Sequence, residues 1–412
     1  MVTLLIIKTG DKVKKSSRNK LFFSKLIYTL GILVIYAVMR KINLYGVDVA
    51  KMTEGLIDAD AVIGQIVGGD LYRCSITAIG FAPYMIAGII VMTIQLCQSS
   101  DTRSRISPKQ INRYTLLLTV TIGLIQAILR SNDLIYIYSG WMMTLAKFIV
   151  VMEMLLGTLL IIWLSMRNKE FGIGGQMALI VVNVLDGIMK TTNDVETEKL
   201  IIPLMLGLLM LFVMIFMENA EKRIPLQRIS IHNIYADKNY QAIKFNPIGI
   251  MPVLFASAVL MLPQFVAKTL LMNMPDNRDI AWVVENMVLS RPLGIITYLC
   301  IIYLLNLLLT WAMINPKDLT ESLQKSGDGI VGIRPGKNTK RYLRRNLFFR
   351  AMTSSTVLSI CLGGALFFQM NRGLDSSLAM IPASIMMLAG LSCNLYREAE
   401  AIINMDSYKA FI

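Results

Sequence analysis

Charged side chains are scarce in this sequence of 412 residues. Asp, Glu, Lys and Arg together make up 17% of it, whereas a soluble globular protein carries about 25%. Histidine occurs once, and the five cysteines show no Cys-x-x-Cys or other paired spacing. We therefore expect no zinc or haem site, and we interpret the cysteines as small buried apolar residues rather than as disulfides or metal ligands.

Catalytic motifs are missing as well. The sequence contains no carboxylate pair, no Ser-His-Asp set and no His-Glu-x-x-His motif. Segment 332–338 resembles a phosphate-binding loop only superficially, because its spacing is one residue short and Asn338 replaces the Ser or Thr. We expect neither an enzyme nor a bound cofactor, so any energy source would lie in a partner protein.

Long apolar runs dominate what is present. Apolar residues form 55% of the sequence, and about ten runs are long enough to cross a hydrocarbon core of about 30 Å as helices. Placing both termini in the cytoplasm puts most of the 41 Lys and Arg residues on the inner side, as the positive-inside rule requires. We predict an all-α polytopic protein of the cell (cytoplasmic) membrane. Its predicted spans are residues 20–40, 76–97, 113–130, 141–166, 176–190, 199–217, 247–270, 292–314, 347–369 and 377–397.

Two predicted spans, the second and the seventh, share a motif. Gly, Pro, Ala and Met recur at the same spacing in Gly80, Pro83, Ala87 and Met92 and in Gly249, Pro252, Ala256 and Met261. Each span is the second of five, and an odd number of spans per half turns the halves upside down relative to each other. We predict two inverted five-helix halves, residues 1–195 and 196–412, and we expect the prolines to loosen both helices.

The outer connection 47–73 contains an apolar stretch too short to span a bilayer. It covers residues 59–67 and is followed by two glycines. One interpretation is a re-entrant plug helix near 57–70, which protein must surround because lipid cannot satisfy its ends. The other is a helix lying on the membrane surface, and the pattern does not decide between them. The candidate plug residues are Ala59, Val62, Ile63, Ile66 and Val67.

Two further connections, cytoplasmic loops 218–245 and 315–346, are longer than helix connections usually are, which is typical of functional loops. The basic run 340–345 is either ordinary positive-inside charge or a contact for ribosomal RNA phosphates. Lys147, Glu153 and Asp186 are charges inside predicted spans, and Lys25 lies near a span end. Carboxylates there would suit an ion-coupled secondary transporter, or these groups pair or face a wet interior.

Six short motifs occur in a definite order along the chain. They occupy residues 75–90, 172–175, 222–227, 245–256, 315–318 and 332–336. Together they resemble the SecY family, whose members form channels through which proteins cross or enter membranes. Residues 176–178, residues 381–384 and a short basic tail depart from the usual family pattern. With 28 Met residues, the chain is more similar to the accessory SecY of some Gram-positive bacteria than to the housekeeping one.

The resemblance implies partners and a cargo. An accessory channel would pass large glycosylated, serine-rich adhesins as unfolded preproteins, driven by a SecA-type motor ATPase and joined by SecE-like and SecG-like small subunits in the membrane lipid. The alternative is a housekeeping SecY for general secretion and membrane insertion. The motor would dock on the long loops through Arg223, Arg334, Lys337 and Arg341.

The resemblance also implies a pore closed by an apolar ring and a lateral gate between the second and seventh spans. A narrow apolar constriction dewets and blocks ions, and methionine adapts to varied passing side chains. Without the resemblance, ordinary core packing would explain the same residues. The ring residues would be Phe81, Met85, Met177, Val181, Leu254 and Met387, and the gate residues Pro83, Gln126, Asn246 and Pro252.

Overall fold

Helix accounts for 78% of the computed structural model. The structure describes residues 2–49, 74–98, 106–193, 197–228, 240–274, 277–289, 291–371, 378 and 380–404. In chain order its elements are α1 (Val2–Met39), α2 (Ala82–Cys97), α3 (Pro108–Asp133), α4 (Trp141–Phe171), α5 (Gly175–Asn193), α6 (Thr197–Asn219), β1 (Glu221–Arg228), β2 (Tyr240–Lys244), α7 (Met251–Asn273), α8 (Arg278–Asn286), α9 (Pro292–Met313), α10 (Pro316–Lys325), β3 (Asp328–Ile330), α11 (Lys337–Asn371) and α12 (Ile381–Asn404).

A helix of at least 16 residues overlaps each of the ten predicted spans. Within the described residues, six segments are long and apolar enough to cross a bilayer, and α2 and the first half of α7 are shorter apolar helices. The chain is therefore a helical protein with several membrane spans. The six segments are Lys20–Met39, Pro108–Asp133, Trp141–Phe171, Glu198–Asn219, Pro292–Lys325 and Lys337–Phe368.

The all-α prediction is wrong in one respect, because the long connections form a small antiparallel sheet. Its strand order is β2-β1-β3, with Ile224 opposite Gln241 and Leu226 opposite Ile330. Along β1, the buried Ile224 lies between exposed neighbours, which is the alternation of a half-buried strand. Pairing gives the backbone groups of these segments the hydrogen-bond partners that every chain segment needs.

Much of the predicted cytoplasmic loop 315–346 is helical. α11 begins at Lys337 and therefore includes the whole basic run. Lys and Arg favour helix, and Leu343 and Leu347, one turn apart, are buried in an apolar cluster beneath the sheet. The other predicted loop begins later than expected, because α6 continues to Asn219.

Two seams join the predicted halves. On one side α2 packs against α7 and α9, and α3 also packs against α7. On the other side α1 and α5 pack against α12. One large apolar cluster extends through helices on both sides of these seams.

The charges predicted inside spans have partners. Arg40 donates a hydrogen bond to Asp186 at 2.7 Å, and the Tyr45 amide donates to Glu153 at 3.0 Å. The Lys147 ammonium donates to the Asn132 side chain at 3.2 Å. Of the two interpretations open for these groups, the structure therefore favours pairing, which lowers the cost of placing charge in hydrocarbon.

A buried amide joins α9 to α11. The Asn306 side chain is fully buried and donates hydrogen bonds to Ser354 Oγ at 3.0 Å and Ser355 Oγ at 2.8 Å. Hydrogen bonds of this kind join helices where apolar packing gains nothing over lipid. By contrast, Ser359 Oγ on α11 is buried without a hydrogen-bond partner in the described part of the chain.

We predict that Asn306→Ala lowers the free energy of unfolding by about 1–2 kcal/mol, because it removes two hydrogen bonds between α9 and α11 worth roughly 0.6 kcal/mol each. The Ser354 and Ser355 hydroxyls keep their bonds to the Ala351 carbonyl. Ser359→Ala is the matched control and is expected to leave stability unchanged, since it removes no bond. Thermal unfolding of the purified chain in detergent measures both. Equal melting temperatures for Asn306→Ala and the unaltered chain would contradict this role.

Candidate functional site

Helices α2 and α7 begin with the same backbone geometry. Gly80 has φ +61° and is followed by Phe81 at φ −87°, ψ −5°. Gly249 has φ +73° and is followed by Ile250 at φ −82°, ψ −6°. The repeated glycine thus supplies a left-handed turn before each helix, a conformation that other residues adopt at a cost. The repeated Gly-Pro-Ala-Met motif therefore corresponds to a repeated backbone geometry at the starts of α2 and α7.

The two prolines do not loosen these helices, contrary to our expectation. Pro83 and Pro252 lie in the first turn of their helices, where an N–H would have no intrahelical partner in any case. Inside α7 the proline is Pro263, which removes one backbone hydrogen bond from the helix interior. The point of reduced stiffness in α7 is therefore near its middle, and the sequence pattern around Pro252 did not reveal it.

The seam around α2 is closely packed. A Cβ built on Gly123 of α3 would lie 3.7 Å from the Pro83 ring and 3.5 Å from Leu155. A side chain of that size would make ordinary van der Waals contact there, so α3 lies against the start of α2 at Gly123. Since α2 and α3 both contact α7, the predicted gate residues Pro83 and Pro252 lie on helices that meet.

The six candidate ring residues come from four helices and belong to one apolar cluster. α2, α7 and α12 contribute fully buried side chains, and α5 contributes two half-buried ones. These residues are Phe81, Met85, Leu254 and Met387, with Met177 and Val181 from α5. Apolar side chains from both predicted halves therefore belong to one connected cluster. The candidate plug residues Ala59, Val62, Ile63, Ile66 and Val67 lie outside the described residues.

The two candidate polar gate residues are buried without full hydrogen bonding. Gln126 of α3 is 2% exposed, and neither polar atom of its amide has a partner in the described part of the chain. Asn246 is fully buried and donates to the Gly249 carbonyl at 2.9 Å, whereas its Oδ1 lacks a partner there. Each unsatisfied buried group costs about 1–3 kcal/mol.

A buried ion pair at the end of α6 was missed from the sequence. Arg397 of α12 donates to Glu218 Oε2 at 2.9 Å and also to the Glu218 carbonyl. A cation here neutralises the buried carboxylate and interacts favourably with the C-terminal end of the α6 dipole. Acidic residues are unfavourable at helix C-termini, so Glu218 at the end of a span was the available signal for a basic partner.

The same carboxylate lies against the turn that begins α7. A Cβ built on Gly249 would lie 2.6 Å from Glu218 Oε1. The α6–α12 pair therefore contacts the first turn of α7 through this side chain. Nearby, burial lowers the pKa of Lys244, and repulsion from Arg397 acts in the same direction.

The candidate motor-binding residues lie in one unit built on the sheet. Arg223 is exposed on β1, donates to Glu221 at 2.8 Å and lies 4.8 Å from the Tyr240 ring centre. Arg334 is exposed in the turn that follows β3, and Lys337 and Arg341 are exposed at the start of α11. The sheet thus joins two predicted docking loops that are far apart in sequence.

These features define a class of protein: a multispanning helical membrane protein whose two groups of helices meet around a shared apolar centre. The SecY family model matches residues 75–396, and the chain belongs to the SecY family. Members of this family form protein-conducting channels and are not enzymes, so the chain is a protein translocation channel subunit.

Relatives and solved structures agree with this assignment. The accessory Sec system protein translocase subunit SecY2 of Leuconostoc gelidum subsp. gasicomitatum is 26% identical, covering 95% of this chain and 97% of the relative. The subunit of the same name in Streptococcus gordonii is 27% identical, covering 96% and 99%. A structure described as that of a protein conducting channel has a TM-score of 0.67 at 18% identity and covers 94% of this chain and 95% of its own. Sec61 in a canine ribosome-channel complex from the endoplasmic reticulum has a TM-score of 0.63 at 18% identity, with the same coverage.

We predict that Gly249→Ala destabilises the protein more than Gly332→Ala. Both changes place a side chain at positive φ, which costs about 1–2 kcal/mol. Only the Gly249 methyl would also meet the Glu218 carboxylate, since a Cβ at Gly332 has open space around it. Thermal unfolding in detergent compares the two, and equal losses of stability would argue against the Glu218 contact.

Proposed function

We propose that this chain is the central channel-forming subunit of an accessory protein translocase. It passes unfolded secretory proteins across the cell membrane, and the cargo class is large glycosylated, serine-rich adhesins. The observation that carries the proposal is the apolar cluster in which side chains from both halves meet beside the α2–α7 contact. Near-full-length similarity to subunits named accessory SecY2 supports the accessory type.

The closed pore is held by the ring of six apolar side chains. A constriction of this kind excludes water and therefore ions, yet it makes no strong bond to a passing polypeptide. Three of the six are methionines, whose unbranched side chains adapt to different shapes. A segment near residues 57–70 would seal the outer mouth as a plug.

The lateral gate lies between α2 with α3 on one side and α7 with α9 on the other. Gln126 and Asn246 are buried there with unsatisfied polar atoms, so closing the gate has an energetic cost that hydration would remove. A hydrophobic segment of a substrate would leave such a seam for lipid when it opens. Pro263 provides a point at which α7 can bend.

The topology we propose has ten spans in two inverted halves, with both termini in the cytoplasm. The echo of backbone geometry at the starts of α2 and α7 supports the inverted repeat. The excess of Lys and Arg in the predicted cytoplasmic segments supports the orientation.

The cytoplasmic sheet and the start of α11 form the proposed docking surface for a SecA-type motor ATPase. Arg223, Arg334, Lys337 and Arg341 are exposed cations on this surface. SecE-like and SecG-like subunits are the further partners, and a ribosome contact through the remaining basic residues of α11 is a second use of the same surface. Solved relatives include a Sec61 in a ribosome complex.

We predict that Met85→Gln or Leu254→Gln raises ion leak in reconstituted planar bilayers, because a polar side chain in the ring retains water. Leu260→Gln is the matched control, since Leu260 is equally buried on α7 but lies outside the ring. It is expected to lower stability without raising conductance. Unchanged conductance in both ring variants would contradict the ring assignment, and so would an ion leak in the control equal to that of the ring variants.

Deletion of the gene is expected to abolish surface display of one or a few serine-rich adhesins while leaving the cells viable. Loss of viability would instead indicate the housekeeping role.

Re-expressing the chain with Arg334, Lys337 and Arg341 each changed to Glu should fail to restore display, because the surface would repel an acidic docking site. The Lys317→Glu control also changes an exposed cation near the sheet. Its restoration of adhesin display would show that loss of positive charge alone does not prevent export. Display by the triple variant at the unaltered level would contradict motor docking here.

A further inference from the structure

The C-terminal parts of α6 and α12 meet the residues that begin α7. α6 packs against α12, and side chains of both helices contact the turn just before α7. We call this meeting point the three-helix junction. It consists of Met214 and Glu218 of α6, Gly390 and Arg397 of α12, and Gly249 and Ile250 before α7. Neither the proposed gate residues nor the proposed docking surface includes any of these six.

The polar part of the junction is the buried ion pair. Glu218 is 1% exposed, and Arg397 donates to its Oε2 at 2.9 Å and also to its backbone carbonyl. The other carboxylate oxygen, Oε1, is buried without a hydrogen-bond partner in the described part of the chain. That atom lies against Gly249, since a Cβ built there would be 2.6 Å from it. One carboxylate thus joins α12 to the turn that begins α7.

The apolar part of the junction depends on a glycine of α12. A Cβ built on Gly390 would lie 2.8 Å from Ile250 Cβ and 2.8 Å from Met214 Cε. The Met214 methyl is the end of a flexible side chain and could move, but Ile250 Cβ is fixed to the backbone. Because packed interiors leave no spare space, a larger residue at position 390 would displace the start of α7.

Hydrogen bonds hold the segment between β2 and α7 in place. The Phe245 amide donates to the Ala220 carbonyl at 2.7 Å, directly after the end of α6. The buried Asn246 side chain donates to the Gly249 carbonyl at 2.9 Å. The segment is therefore attached to α6 at its beginning and lies against the Glu218 carboxylate at its end.

Two candidate ring residues lie about one helical turn from the junction. Leu254 follows Ile250 by one turn of α7, and Met387 precedes Gly390 by one turn of α12. A helix is stiff over so short a distance, so the junction determines where these two side chains lie. Pro263 lies on the far side of Leu254 from the junction. Bending of α7 at Pro263 would therefore leave Leu254 attached to the junction.

We propose that Glu218 and Arg397 are positioning residues for the pore. Their ion pair holds the start of α7 and the C-terminal part of α12 against α6, and this keeps Leu254 and Met387 in the ring. The inference rests on the proposed ring, and it assigns a role to two residues that belong neither to the ring nor to the gate.

The first test measures ion leak of the full chain reconstituted in planar bilayers. Arg397→Met should raise the leak by about tenfold or more, because Glu218 is left buried without its cation and the helix ends separate. Arg397→Lys keeps the positive charge, so its leak should stay within about twofold of the unaltered chain. Gly390→Val should raise the leak from the apolar side of the junction, because it displaces Ile250.

Two controls separate positioning from a general loss of stability. Gly363→Val inserts the same side chain between α11 and α9, where a Cβ on Gly363 would lie 2.7 Å from Leu299 Cδ1. Asn306→Ala removes buried hydrogen bonds between the same two helices. Both should lower the melting temperature without raising the leak. A leak in either control equal to that of the junction variants would overturn the proposal.

The second test measures a distance and does not depend on conductance. Genetically encoded spin labels at positions 242 and 400, both exposed, report the separation of β2 from α12. The distance should increase in Arg397→Met and Gly390→Val and stay unchanged in Arg397→Lys and both controls. An unchanged distance in both junction variants would contradict the proposal.

Leu254→Gln, recorded in the same bilayers, distinguishes failure of this inference from failure of the ring. A leak in Leu254→Gln with none in Arg397→Met or Gly390→Val would overturn the positioning role and leave the ring assignment standing. No leak in any of the three would contradict the ring itself, on which the positioning role rests.

Discussion

Hydrocarbon cannot form hydrogen bonds, and this constraint governs the structure. Where the chain leaves helix between α4 and α5, its backbone groups are satisfied by side chains. Asn168 donates to the carbonyls of Ile173 and Gly175, both at 3.0 Å, and the Ile173 amide donates to Thr29 Oγ1 at 2.8 Å. The backbone of this turn is thus satisfied within the protein, as every chain segment requires.

Buried polar side chains differ in how fully their hydrogen bonds are satisfied. Two carboxylates on the helices form ion pairs, Asp186 with Arg40 and Glu218 with Arg397. The candidate gate residues Gln126 and Asn246 are buried with polar atoms that lack partners in the described residues. A stable core would be expected to avoid such groups. For these two residues, the missing partners agree with the gate role proposed above.

The sequence predicted the helices better than it predicted the contacts between distant segments. Apolar runs located the spans because bilayer thickness fixes their length, and the Gly-Pro pattern located the starts of α2 and α7. The pairing of β1 with β3 and that of Glu218 with Arg397 join residues about a hundred or more positions apart, which local patterns cannot indicate. The ring residues came from family resemblance, since periodicity alone does not distinguish a pore lining from ordinary core packing.

The three-stranded sheet has a mechanical consequence. β3 precedes the turn that contains Arg334, β1 follows α6, and β2 leads into α7. A force applied at that turn is therefore carried across two rows of backbone hydrogen bonds before it reaches α7. Within each row, hydrogen bonds that are loaded along the strands must break together rather than one at a time. The sheet can thus act as a rigid connection, so that a force on one loop displaces the other loop.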